Sequence, residues 1–299
     1  MTAANARLSA GHVALALLVV AIWGTNFVVI TAGLRHFPPF FFALLRFLFS
    51  ALPFVFFLPR PRTRWRWLAL YGFFLGAGQF GLLYYAIRSD ISPGLASLVI
   101  QAQVFFTIAL SAWLFRERLT ARTLVASVLA ASGLALIALR LDASATPAGI
   151  ALVLAAALAW SCANTVVKKA SLEARQPFGM LAFVAWSSLF AVPPLVLLTL
   201  LFEGANAAWA GIAGADAPAW GAAAWQVVGN TLFGFAAWSY LLARYDAAEV
   251  SPYALLVPVF GMGTSALVLG ESLPAWKIAG AGLVLAGIAM TVLRGRRRP

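Results

Sequence analysis

Ten apolar runs of about 20 residues, broken by short charged connections, take up most of the chain. They cover residues 12–32, 39–58, 67–87, 94–115 and 121–139, then 148–167, 179–202, 220–243, 250–269 and 275–293. A helix of that length rises about 30 Å, enough to cross the hydrocarbon core of a bilayer. The pattern predicts an all-α membrane protein with ten transmembrane helices. The first run is too long for a signal-peptide core and carries no convincing cleavage signature, so it is expected to remain as the first span. The longest connection, 203–219, is rich in Gly, Ala and Trp and suits the membrane interface.

Composition agrees. Of the 299 residues, 63% are hydrophobic and only 10% charged, too few to coat a water-soluble domain. Mean hydropathy is +0.92. The net charge of +12 sits in short runs between apolar segments, which points to a membrane surface rather than a nucleic acid. With the N-terminus in the cytoplasm, 16 Lys and Arg fall on the inner side and 4 (Arg35, Arg88, Arg140 and Lys277) on the outer side. That asymmetry places both termini inside. The last cation, Arg46, lies within span 2.

The chain also repeats itself. Residues 84–140 slide forward by 154 onto 238–294 without a gap. Tyr84 meets Trp238, Ser97 meets Ser251, Gly133 meets Gly287, and Arg116-Glu117-Arg118-Leu119 meets Gly270-Glu271-Ser272-Leu273. Earlier, Trp23 pairs with Trp160 and Pro53 with Pro193. The halves are expected at 1–141 and 142–299, five spans each. An odd count per repeat inverts one half against the other, a build recurrent in secondary transporters with the substrate site between the halves.

Several stretches resemble a known family. Val20 to Ile30, with Trp23-Gly24-Thr25-Asn26 at its centre, is similar to the first span of EamA-type carriers of the drug/metabolite transporter superfamily. Leu45-Arg46-Phe47, Gly94 to Gln103, Phe115-Arg116-Glu117-Arg118-Leu119 and Leu255-Leu256-Val257-Pro258 carry the same likeness. It extends over essentially the whole chain. It looks closest to bacterial cysteine and O-acetylserine exporters, with aromatic amino acid exporters more distant. The resemblance implies ten helices as two inverted repeats around a central cavity, cytoplasmic termini and export of amino acids or related metabolites through the inner membrane. The expected partners are a small amino acid or metabolite and the lipid bilayer, with no nucleic acid and no cofactor, and a monomer is expected as the working unit. A nucleoside, nucleotide-sugar or drug carrier is the rival within the superfamily. A membrane enzyme acting on lipid-linked substrates is the rival outside it.

Polar residues inside spans are costly and mark functional candidates. Span 1 has Trp23 and Asn26, span 3 has Gln79, span 4 has Gln101 and Gln103, span 6 has Trp160 and Asn164, and span 8 has Asn230 and Trp238. The candidate substrate-binding set is Trp160, Asn164, Gln79, Gln101, Gln103, Trp238, Trp23 and Asn26. Amides can bind an amino acid's carboxylate and ammonium, and indole faces attract an ammonium group. The same amides can instead bridge helices. The cavity reading is favoured for Trp160 with Asn164, because the resemblance sets a tryptophan there beside the cavity. Gln101 and Gln103 lie about 200° apart on an ideal helix, so one faces the cavity and the other a neighbour.

Arg46 is about 10 Å deep in the bilayer. A structural role is favoured for it, snorkelling outward or pairing with a helix-end carbonyl, over binding a substrate carboxylate. The nine acids all fall at span ends or in connections, so no mid-membrane proton carrier is evident. Pro53, Pro193, Pro252 and Pro258 are placed to kink spans, as fixed bends or as hinges. Gly72, Gly76, Gly78, Gly280, Gly282 and Gly287 suit close helix packing. Two distant histidines and one cysteine, Cys162, offer no metal site or disulfide, and no P-loop is present.

Overall fold

The computed structural model describes residues 8–116, 121–139, 144–174, 178–244 and 250–292. The acids Glu117, Asp142, Asp246 and Glu249, and the cations Arg7, Arg118, Arg140, Arg175, Arg294, Arg296, Arg297 and Arg298, lie outside the described residues. Among those described there is no named strand, and only Ile91 and Ala145 form an isolated bridge.

The first half contributes α1 (Ala10–Leu34), α2 (Pro39–Phe57), α3 (Trp65–Ser89), α4 (93–115) and α5 (Ala121–Leu139). The second contributes α6 (Pro147–Glu173), α7 (Met180–Glu203), α8 (217–244), α9 (251–269) and α10 (Ala275–Val292). Six of these are long and apolar enough to cross a membrane, and shorter apolar helices cover Leu124–Ile137, Val257–Leu269 and Ala275–Met290. A further short helix, Ala205–Gly214, fills the long connection ahead of α8. Helix ends are fastened by side chains. Ser9 caps α1 and Thr146 caps α6. Arg88 donates to the carbonyls of Leu34 and Phe37 where α1 ends, which suits the negative end of a helix dipole.

The internal repeat is visible in element boundaries. α1 starts at Ala10 and α6 at Pro147, the 137-residue offset that pairs Trp23 with Trp160. The α-helical part of α4, Gln103–Phe115, returns 154 residues later as Val257–Leu269. Both end on a left-handed residue, Arg116 at φ 55° and Gly270 at φ 69°. α5 and α10 start at Ala121 and Ala275. Irregularities repeat too. A π-helical stretch occupies Phe73–Gly81 in α3 and Gln226–Phe233 in α8. A 3-10 turn occupies Ile100–Ala102 in α4 and Ser251–Leu256 in α9.

Between membrane helices there is no water to expel, so association relies on close packing. A Cβ on Gly133 would lie 2.7 Å from the Gly280 carbonyl, and one on Gly287 2.6 Å from that of Ala126. Those glycines let α5 and α10 touch. Gly72 and Gly76 pack onto Ser187 and Ala191 of α7, and Gly78 onto Ala159 of α6. Gly282 differs, because a Cβ there would meet open space. Pro193 and Pro194 lie inside α7, the chain breaks at Leu52 and Pro53, and Pro258 opens the α-helical part of α9.

The paired left-handed caps give a stability test. Nothing surrounds Gly270, so Gly270→Ala costs only backbone strain, about 1 kcal/mol, while Arg116→Gly relieves a similar amount. Thermal unfolding in detergent is expected to move in opposite directions for the two variants.

Candidate functional site

Arg46 of α2 is 1% exposed and turns inward. Its guanidinium lies 3.7 Å from the ring centre of Phe80. Nη1 donates to Tyr84 Oη at 3.1 Å and to Gln226 Oε1 at 2.7 Å, and Nη2 donates to Asn230 Oδ1 at 2.8 Å. Nε has no partner. Gln226 Nε2 donates to Asn26 Oδ1 at 2.8 Å. Trp23 Nε1 donates to the Asn230 carbonyl at 3.2 Å. The Trp23 ring sits 5.3 Å from Trp238 and 5.8 Å from Phe235. One network thus joins α1, α2 and α3 of the first half to α8 of the second.

The π segment of α8 shapes this network. Thr231 Oγ1 donates to the Gln226 carbonyl at 2.7 Å, five residues back, meeting a group that the wide turn displaces. Gln226 and Asn230, one turn apart, then present two amide oxygens to one guanidinium. The snorkelling or carbonyl-paired arrangement expected for Arg46 is therefore corrected. Aromatic rings of α3 and amides of α8 hold its guanidinium in the interior, 1% exposed.

A second cluster joins α4 and α6. Asn164 Nδ2 donates to Gln103 Oε1 at 3.1 Å and Thr107 Oγ1 at 3.4 Å, and Ser161 Oγ donates to the Gln103 carbonyl at 2.9 Å. Gln103 is thus the glutamine that bonds a neighbour. Gln101 is buried with its carbonyl accepting from Gln103 N, and Gln79 is buried with Oε1 unpartnered among the described residues. Trp160 is half-buried against the core. Of the eight sequence candidates, Trp23, Asn26 and Trp238 meet at the first network, and Asn164 and Gln103 at the second. Trp160, Gln79 and Gln101 join neither.

A model of the EamA-like transporter family matches residues 11–139 and, a second time, 147–293. The chain belongs to that family. A protein from Salmonella typhimurium, described as a "probable amino-acid metabolite efflux pump", is 41% identical over 95% of both chains. One from Escherichia coli K12 with the same description is 38% identical, again over 95% of both. A solved structure titled only as a crystal structure of a protein superposes with a TM-score of 0.63 at 18% identity, covering 97% of this chain and 99% of that one, and shares the fold. The EamA-like chain is thus a multi-pass membrane protein of a transporter family, not an enzyme.

Sequence reasoning did not single out Gln226 and Tyr84, which bond Arg46 in this EamA-like chain. It set Asn230 beside Trp238 without placing it in the site. The spacing of Gln226 and Asn230, four apart on one helix, was the available signal. The described acids serve at the membrane faces. Glu203 accepts from Phe40 N at 2.6 Å and Phe41 N at 3.0 Å, capping α2. Glu271 Oε2 accepts from Gly94 N at 3.0 Å, capping α4 from the other half. Glu173 pairs with Arg66 at 3.0 Å and accepts from Trp67 Nε1 at 3.0 Å.

Burial pushes the Glu271 carboxyl above its ordinary pKa, opposed by the Gly94 N–H and the Lys277 ammonium. The folded state therefore holds this proton more tightly than the unfolded chain does. The resulting stability is full below the ordinary carboxylate value and is lost as pH rises through the folded one. Glu271→Gln should flatten the pH dependence of the unfolding temperature above about pH 4.5 while preserving an oxygen for Gly94. An unchanged pH profile would show that Glu271 is not its source.

Proposed function

We propose that this chain is a secondary transporter that exports amino acids and related small metabolites across the cytoplasmic membrane. The observation that carries the reading is the polar network around Arg46. There a buried cation of the first half meets hydrogen-bonding groups of both halves inside an apolar span layer. The names of the two efflux relatives supply the substrate class.

In this reading the halves 1–141 and 142–299 rock about the network, both termini are cytoplasmic, and one chain is the working unit. Trp23, Asn26, Trp238, Tyr84, Gln226 and Asn230 contact the substrate. Gln79, whose Oε1 lacks a partner among the described residues, and Gln101 join the site as the halves move. Asn164 with Gln103 holds α6 to α4. The network contains no carboxylate among the described residues, so export runs down the substrate gradient. A nucleotide-sugar carrier would need more than one cation to meet a diphosphate.

Purified protein in proteoliposomes is expected to move one or more of the L-amino acids or O-acetyl-L-serine, and Trp23→Ala to slow that flux about tenfold or more. Absence of flux for the whole panel would defeat the proposal. Accumulation against the substrate's own gradient, driven by a pH step, would defeat the downhill version.

A further inference from the structure

The central network contains a full cation with no anion. Arg46 is in no ion pair among the described residues, and its three side-chain acceptors are two amide oxygens and a phenol. A guanidinium held in the apolar interior without a counter-ion is costly, and neutral dipoles offset only part of that cost. The acids described sit at the membrane faces, capping helices or paired there.

The form of the substitute is informative. One amide oxygen sits on Nη1 and another on Nη2, from two residues one turn apart in the π segment of α8. Two oxygens on the two ends of a guanidinium fork are what a carboxylate supplies when it binds end-on. We infer that Arg46 is the receptor for the substrate's carboxylate, and that Gln226 Oε1 and Asn230 Oδ1 occupy its fork only while no substrate is bound. This rests on the amino-acid reading above and adds the mode of recognition and its link to movement.

The arriving carboxylate displaces both amides. That breaks the direct hydrogen bonds between α2 and α8, and with them a fastening between the halves. The adjacent Trp23 and Trp238 rings, joined to the same segment through the Asn230 carbonyl, offer π faces to the ammonium group. The ligand class is an α-amino acid zwitterion. A single guanidinium matches one negative charge, and binding adds no net charge to the membrane interior.

Two arms test this. In the first, wild-type proteoliposomes are given each transported amino acid and its carboxamide. The acid should move at least tenfold faster, and Arg46→Gln should abolish that difference while Arg46→Lys restores part of it. Equal rates for acid and amide in wild type, or full discrimination by Arg46→Gln, would overturn the inference while leaving amino acid export intact. Absence of amino acid flux in wild type would instead remove the functional reading. The second arm needs no substrate. Asn230→Asp places a permanent carboxylate on the fork at almost no change in shape. Its unfolding temperature should rise by about 3 °C or more, and its flux should fall at least tenfold. A lowered unfolding temperature, or wild-type flux, would show that the fork is not a carboxylate site.

Discussion

A bilayer core has no water to accept a stray hydrogen bond, so every polar group placed there must find a partner in the protein. The Arg46 network follows from that constraint. The guanidinium gathers Tyr84, Gln226 and Asn230, and Gln226 reaches on to Asn26. Four helices from two halves converge because none of these groups can be satisfied by its own helix. Elsewhere the spans meet through glycine and alanine, as where Gly72 and Gly76 seat α3 on α7 and Gly133 and Gly280 bring α5 to α10. The result is a protein held by close apolar packing and joined across its halves by the Arg46 network and by the smaller cluster of Gln103, Ser161 and Asn164.

The inverted repeat explains where the irregular backbone falls. Among the described residues the two longer π stretches lie in the third span of each half and the 3-10 turns in the fourth, while a shorter π stretch, Thr199–Glu203, closes α7. A wide turn offsets successive carbonyls from the usual ladder and re-aims side chains. The halves use this differently. In α8 the π stretch carries Gln226 and Asn230 to Arg46, whereas in α3 it carries glycines to α6 and α7, with Phe80 against the guanidinium. The site is therefore asymmetric on a symmetric frame. Arg46 itself shows this, since its counterpart in the second half, Trp186, donates to the Leu58 carbonyl at 3.1 Å.

The fold was legible in the sequence because lipid makes span length and apolarity nearly sufficient. The 154-residue self-match pairs Arg116 with Gly270, and both are left-handed residues that end their helices. The site was less legible. Trp23, Asn26 and Trp238 could be chosen as polar or indole-bearing positions within spans, but which amide reaches which partner depends on distances between helices. Gln226, near the start of its span, was not among the candidates. Arg46 was noticed and given a structural role, snorkelling outward or pairing with a helix-end carbonyl, because a cation in a span is usually satisfied in one of those ways. Its actual partners sit 38 to 184 residues away in the chain. The π geometry that aligns two of them leaves no mark in composition or periodicity.

The central claim is that substrate binding at Arg46 releases α2 from α8. Spin labels at Phe49 of α2 and Val228 of α8, both facing outward, would report the separation of those helices in a background lacking Cys162. Pulsed-resonance distances measured in bilayers, without and with a transported amino acid at saturation, test the claim most directly. The account expects a second distance population to appear with the amino acid and not with its carboxamide. One unchanged distribution in all three conditions would contradict it.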